Sequence, residues 1–201
     1  MISFAKSLTK REKFDMIINR KSEGEREMEQ VKWTECSPVE IDNAVRAIGE
    51  NWMLIVAKDE KQNRVNAMTA SWGCIGMLWN KPVAVCFIRP QRHTYGLVES
   101  AERISLAFPD ASYRTAMTLC GRKSGRDCDK LKEAGLTASE LDGVSVVDQA
   151  EWTLICRKLY VDDLKESGFL DASLLSNYKD HDFHRVYVCE IEKVYRKKSD
   201  K

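Results

Sequence analysis

The sequence lacks an excess of charge of either sign: 32 Lys and Arg stand against 31 Asp and Glu over 201 residues. A general nucleic-acid binder normally carries a basic surplus, so that class is set aside. Apolar runs approaching the roughly 18 residues of a membrane span are also missing. Residues 1–20 are charged from Lys6 onward and lack the apolar stretch and cleavage site of a secretory signal. The seven cysteines (36, 74, 86, 120, 128, 156 and 189) form no CxxC pair and no Cys/His spacing suited to zinc. Several sit inside apolar runs such as VAVCFI (83–88), which makes them buried, reduced small hydrophobes of a cytoplasmic protein without a metal. No GxGxxG follows a strand-like run, which argues against a Rossmann domain, and no Ser/His/Asp constellation suggests a hydrolase. Internal repeats and low-complexity tracts are absent as well.

What is present reads as one domain with an extension. Residues 1–30 hold 13 charged residues, with a capping box at Thr9–Glu12 and a short apolar stripe of Phe14, Ile17 and Ile18. This extension is partly helical or disordered in expectation, and Met28 is a possible alternative start. The domain occupies 31–195, and 196–201 close the chain as a basic tail within the solvated stretch KVYRKKSDK (193–201). Ser37-Pro38-Val39-Glu40 opens a helix expected to reach Ile48 and stop at Gly49. Strands are expected over 52–58, 65–71, 82–89 and 103–109, the first two as an antiparallel hairpin around the polar turn 59–64. Helices follow over 110–120, ending at Gly121, and over 126–135; strand chemistry then returns at 145–163 and 184–195. Antiparallel strands dominate and helices are inserted among them, so the fold class is mainly β, a closed or nearly closed barrel with peripheral helices.

Three segments carry candidate chemistry. In NAMTASWGCIG (66–76), alternation places Asn66, Met68 and Ala70 on one face and Ala67, Thr69 and Ser71 on the other. The hydroxyl face suits either the polar edge of a flat ligand or plain solvent. In IRPQRHTYG (88–96), Pro90 stops a strand and Arg92 and Thr94 precede a helix. A guanidinium, a hydroxyl and free N–H groups at a helix start make an apt phosphate clamp. The same residues also serve to cap a neighbouring carbonyl and the helix itself. In GRKSGRDCDK (121–130), Gly125 between Lys123 and Arg126 admits close approach of an anion, or the segment is a charged surface turn.

Taken together, N-x-M-T-A-S-W, W-N-K-P, R-P-x-R-x-T-Y, S-G-R-D-x-D-K and H-R-x-Y-x-x-E-I resemble the flavin reductase-like family, in order, over roughly 31–195. The resemblance, which extends to the flavoredoxins, implies a homodimeric split β-barrel holding FMN without a covalent bond near the subunit interface. Carried over by position, Asn66, Met68, Thr69, Ala70, Ser71 and Trp72 line the isoalloxazine. Arg89, Pro90, Gln91, Arg92, Thr94 and Tyr95 hold the ribityl phosphate end. Lys123, Ser124, Gly125 and Arg126 border the flavin or incoming substrate, and His184 lies near the ring as a proton donor or an orienting group. Cys74 and Cys189 stand where Gly is common in the family, and His93 where Tyr is common. Cys74 either restricts the turn or brings a thiol near the flavin.

The implied activity is hydride transfer from NAD(P)H to flavin, and onward to free flavin, a protein or a small acceptor. Such chemistry belongs to the cofactor and needs no acid–base triad. Two alternatives stay open: an FMN electron carrier reduced by a partner protein, and a non-catalytic flavin-binding or interaction module.

Overall fold

The computed structural model of the protein describes residues 32–41 and 43–198, and the expectations placed on 1–31 and 199–201 lie outside them. The hairpin expected first is there. Strands β2 (Met53–Asp59) and β3 (Arg64–Ala70) pair antiparallel from Met53↔Ala70 to Asp59↔Arg64. Asp59 Oδ1 shapes their turn by accepting the N–H groups of Lys61 and Gln62, each at 3.1 Å. Alternation sorts β2 completely: Met53, Ile55 and Ala57 join the main core, while Leu54 and Val56 face a second core under the helices. Both faces are covered, which is why 53–57 reads as an unbroken apolar run.

The remaining main-sheet strands are β1 (Trp33–Cys36), β4 (Gly73–Leu78), β5 (Lys81–Ile88), β6 (Arg103–Pro109), β9 (Ala150–Asp163) and β10 (Arg185–Lys197). Their order is β3-β2-β6-β9-β10-β5-β4, with β1 also on β10. Among the described residues the outermost strands, β3 and β4, do not pair, and the chain crosses from one to the other through Ser71 and Trp72. The barrel is therefore split there and not closed. A small hairpin, β7 (Ala138–Leu141) and β8 (Val144–Val147), lies outside this sheet.

Several expectations are corrected. The helix from Pro38 to Ile48 is instead a short 3-10 turn, Pro38–Glu40, and a π turn, Arg46–Glu50. The capping box at Ser37 forms, but Ile41 is extended and Asn43 sits at φ 44°, its side chain accepting the Arg46 N–H at 3.0 Å, so helical winding restarts there. Strand β4 was not foreseen, because Gly73 and Gly76 weaken its signal; its hairpin to β5 turns at Trp79 (φ 52°) and Asn80 (φ 58°), as two-residue hairpins require. The single run 145–163 is two strands, divided where Gln149 Oε1 accepts the Thr137 N–H at 2.9 Å. Arg196 and Lys197, expected in the basic tail, continue β10, whose end pairs with β1 from Cys36↔Val194 to Trp33↔Lys197.

Three helices pack near the split: α1 (His93–Ser100), α2 (Arg114–Arg122) and α3 (Lys130–Ala134). Gly121 does not end α2, which runs on to Arg122 with Lys123 as its cap. Gly121 faces β3, where an added Cβ would make an ordinary contact, 3.5 Å from Thr69 Cβ. The second helix is shorter than expected. The Asp129 side chain caps it by accepting the Lys132 N–H at 3.1 Å, and Gly135 ends it at φ +68°.

Candidate functional site

A cavity of about 270 Å³ opens at the split. Met68, Thr69, Ala70, Ser71 and Trp72 supply one wall, and Phe87, Arg89, Arg92, Gly121 and His184 complete it. Thr69 and Ser71 thus reach it from the end of β3. Thr69 Oγ1 donates to the Met117 carbonyl of α2, which leaves its lone pairs to accept from a ligand. Trp72 is 46% exposed, and its ring centroid lies 5.1 Å from that of His184. The wall is amphipathic, and Trp72, Phe87 and His184 give it π surface at tilted angles.

His184 is buried, its Nδ1 2.9 Å from the Tyr178 hydroxyl. Burial, and then the charge of Arg89, push its pKa down to about 4, so the imidazole is neutral at neutral pH. A neutral ring held by Tyr178 is suited to orienting a ligand more than to acting as an acid.

Around the corner lies a second cavity of about 180 Å³, lined by Arg92, Thr94, Lys123, Ser124, Gly125, Arg126 and Lys130 among others. It is a pocket of cations. Lys123 is neutralised by Glu133, but among the described residues Arg92, Arg126 and Lys130 have no carboxylate partner. Arg92 Nη2 donates to the Gly121 carbonyl at 2.7 Å, Arg126 Nη1 to the Gln91 carbonyl at 3.2 Å, and Lys130 Nζ to the Cys120 carbonyl at 3.1 Å. Lys130 is only 4% exposed. Burial is the first cause that lowers its pKa to about 8, and burial likewise lowers that of Arg92. Buried lysine is rare unless paired, and among the described residues this one is held by a carbonyl and by no carboxylate.

Behind this pocket, Asn66 Nδ2 donates to Thr94 Oγ1 at 2.8 Å, with both side chains buried. Asn66 therefore supports the clamp without lining either cavity. Arg89, which lines the first cavity, and Gln91, which lines the second, both donate to Asp182 Oδ2 at 2.5 Å, and Arg89 also donates to the Asn177 carbonyl at 2.8 Å, tying down the loop before β10. Pro90 and Tyr95 face a third, larger cavity of about 840 Å³. Arg92 borders all three cavities. Cys74 is exposed on β4 outside the first cavity, and Cys189 is a buried core residue, its thiol pushed up to about 12 by burial.

Sequence reasoning missed Phe87, Tyr178 and Asp182, which carried no local signal; Gly121 and Lys130 carried one, as the two ends of the quoted GRKSGRDCDK (121–130).

The sequence from 45 to 201 matches the family model described as "Flavin reductase like domain". Solved structures share the fold. One is an FMN-binding domain of a flavin reductases-like enzyme from Shewanella baltica, at TM-score 0.58 and 16% identity, covering 83% of this chain and 78% of that one. An FMN-binding protein from Thermus thermophilus gives 0.56 at 23% identity over 72% and 70%. Flavoredoxin of Desulfovibrio vulgaris gives 0.56 at 19% identity over 75% and 69%. None of the curated proteins searched matches the sequence.

Proposed function

The chain belongs to the flavin reductase-like family, and on that premise we propose that it is an FMN-binding oxidoreductase of the cytoplasm, reduced by NADH or NADPH. One observation carries the reading: Arg92 lines both an amphipathic cavity holding Thr69, Trp72 and His184 and a second cavity where Arg92, Arg126 and Lys130 have no carboxylate partner among the described residues. A planar ring with a phosphate on a short polar arm has that outline. Bound flavin would supply the hydride and electron chemistry.

The protein's own part is to bind and shield. Arg92, Arg126 and Lys130 meet the phosphate, helped by N–H groups in the first turn of α1. Thr69 and Ser71 face the polar edge of the ring. Trp72 and His184 form a wall that excludes water from the reacting face, and a nicotinamide docking over the flavin needs no Rossmann glycines. Trp72, Met77, Trp79 and Tyr160 are exposed at 46%, 70%, 56% and 48%, an apolar display that a second copy of the chain covers in this reading.

Purified protein mixed with FMN and freed of excess flavin should stay yellow and sediment as a dimer. Anaerobic NADH or NADPH should then bleach the flavin absorbance. Bleaching by dithionite but by neither nicotinamide would favour the electron carrier, and colourless protein would sink the whole reading.

Lys130 adds a pH dependence. Its folded-state pKa is lowered to about 8, so the ammonium is present below that pH and lost above it. A phosphate needs the ammonium; FMN affinity should therefore be full below about pH 8 and fall toward pH 10, by up to about tenfold per unit. Riboflavin affinity should stay flat over that range, and Lys130→Met should flatten the FMN curve. Identical FMN profiles for the two proteins would remove Lys130 from the clamp.

A further inference from the structure

The first cavity is bordered by a buried pair whose proton direction decides what the wall offers a ligand. The Tyr178 hydroxyl and His184 Nδ1 lie 2.9 Å apart, and both side chains are buried. Among the described residues nothing else bonds that hydroxyl, and nothing bonds His184 Nε2, the remaining ring nitrogen of a residue that lines the cavity. The imidazole is neutral at pH 7 and carries one ring proton. Burial raises the Tyr178 pKa, so the phenol keeps its proton as well. Of the two possible directions, O–H to nitrogen is the favourable one, because a phenol is the better donor and an imidazole nitrogen the better acceptor. We propose that Tyr178 is a positioning residue: its O–H donates to Nδ1, fixes the ring proton on Nε2, and so gives the cavity a neutral N–H for an acceptor atom of the flavin ring. The inference rests on the flavin reading above and adds the residue that sets one wall of its ring site.

Both members of the pair are held in place. The Tyr178 ring stacks on Phe183 at 4.8 Å and 24°, and the Arg89 guanidinium lies 5.2 Å from its centroid. Arg89 also donates to the carbonyl of Asn177, the residue before Tyr178, at 2.8 Å, which fixes the backbone that carries the hydroxyl. The His184 carbonyl accepts the Leu164 N–H at 2.9 Å, and its ring sits between Trp72 and Phe87, with centroids at 5.1 and 6.4 Å. With a volume of about 270 Å³ the cavity is just below the usual range of small-molecule sites, so one ring system fills it and lies against His184. Which nitrogen of a histidine carries the proton is set by the bond the other one makes, and here the partner is Tyr178.

The chain has three histidines, so ¹⁵N-histidine labelling reads the proton directly, with His184→Gln assigning its signal by loss. At pH 7, flavin-free wild type should show His184 protonated on Nε2 and bare on Nδ1. Tyr178→Phe keeps the stacked ring and removes only the hydroxyl; the two nitrogen signals should then move toward each other as both tautomers populate. A wild type protonated on Nδ1 overturns the proposal, and that spectrum decides alone should the phenylalanine variant misfold. A Tyr178→Phe spectrum with the proton still on Nε2 alone overturns it too. Titration reads the consequence: Tyr178→Phe should weaken FMN and riboflavin by the same factor, at least about twofold, the loss when two tautomers become equal. Unchanged affinities, or a loss for FMN alone, count against the proposal. In the His184→Gln background the same substitution should change neither affinity, because the hydroxyl acts through the imidazole; an equal loss in both backgrounds would make Tyr178 merely structural. If wild type binds neither flavin, the flavin reading has failed, and the spectra still decide where the proton sits.

Discussion

Arg92→Ala should weaken FMN binding by about 10- to 150-fold while leaving riboflavin affinity within about threefold of wild type. The figure follows from losing one charge-assisted contact to phosphate, about 1.5–3 kcal/mol, at 1.4 kcal/mol per decade. Riboflavin lacks the phosphate and serves as the control for the ring cavity. Arg92 also donates to the Gly121 carbonyl at 2.7 Å, so the variant loses one internal bond, and some loss of melting temperature should accompany it. Arg92→Lys separates the two effects. It restores a positive charge without the forked geometry and should recover part of the FMN affinity. Isothermal titration of both flavins against the three proteins reads this out, and equal losses for FMN and riboflavin would show that Arg92 is not on the phosphate.

The parts of the proposed clamp are adjacent in sequence, a strand stopped by Pro90 and then a guanidinium and a hydroxyl entering a helix, and Arg92 and Thr94 do line one cavity. The hairpin β2–β3 was legible for a similar reason, since two apolar runs flank a polar turn. Tertiary partners were not legible. Arg89 and Gln91 stand beside Arg92 as candidate phosphate ligands, and no local pattern shows that both also engage Asp182, more than 90 residues on. Lys130 reads as a solvated lysine on a short helix. Only the packing of α3 against α2 turns its ammonium inward to the Cys120 carbonyl. Strand β4 has two glycines in six residues, and it exists because β5 supplies its partner and Trp79-Asn80 its turn. For Arg89 and Gln91 the missing information is a contact between distant segments, which no local pattern encodes; for Lys130 and β4 it is how neighbouring segments pack.

Gly125→Ala should be the most damaging single-methyl change near the site, lowering the melting temperature by roughly 5–15 °C and FMN affinity at least tenfold. The added Cβ would lie 2.2 Å from Asn66 Oδ1 and 2.7 Å from His93 Cδ2, closer than any real contact. Asn66 has no free way to yield, because it is 3% exposed and its amide donates to the buried Thr94 hydroxyl at 2.8 Å. Rotating it strands a buried polar pair, at about 1–3 kcal/mol, and overpacking adds about as much again. At about 2–4 °C per kcal/mol for a chain of this size, the melting shift follows. The other escape is for the 123–126 loop to lift. Arg64 opposes that by donating to the Gly125 carbonyl at 2.5 Å, and lifting would carry Ser124 and Arg126 away from the cation pocket. Stability and phosphate binding are therefore coupled through one missing methyl group. Gly96→Ala is the matched control: its Cβ meets nothing within 4 Å, so it should melt at or above the wild-type temperature, as alanine favours a helix. If Gly125→Ala melts within about 1 °C of wild type and binds FMN normally, the loop does not press on Asn66, and the support drawn beneath the clamp is wrong.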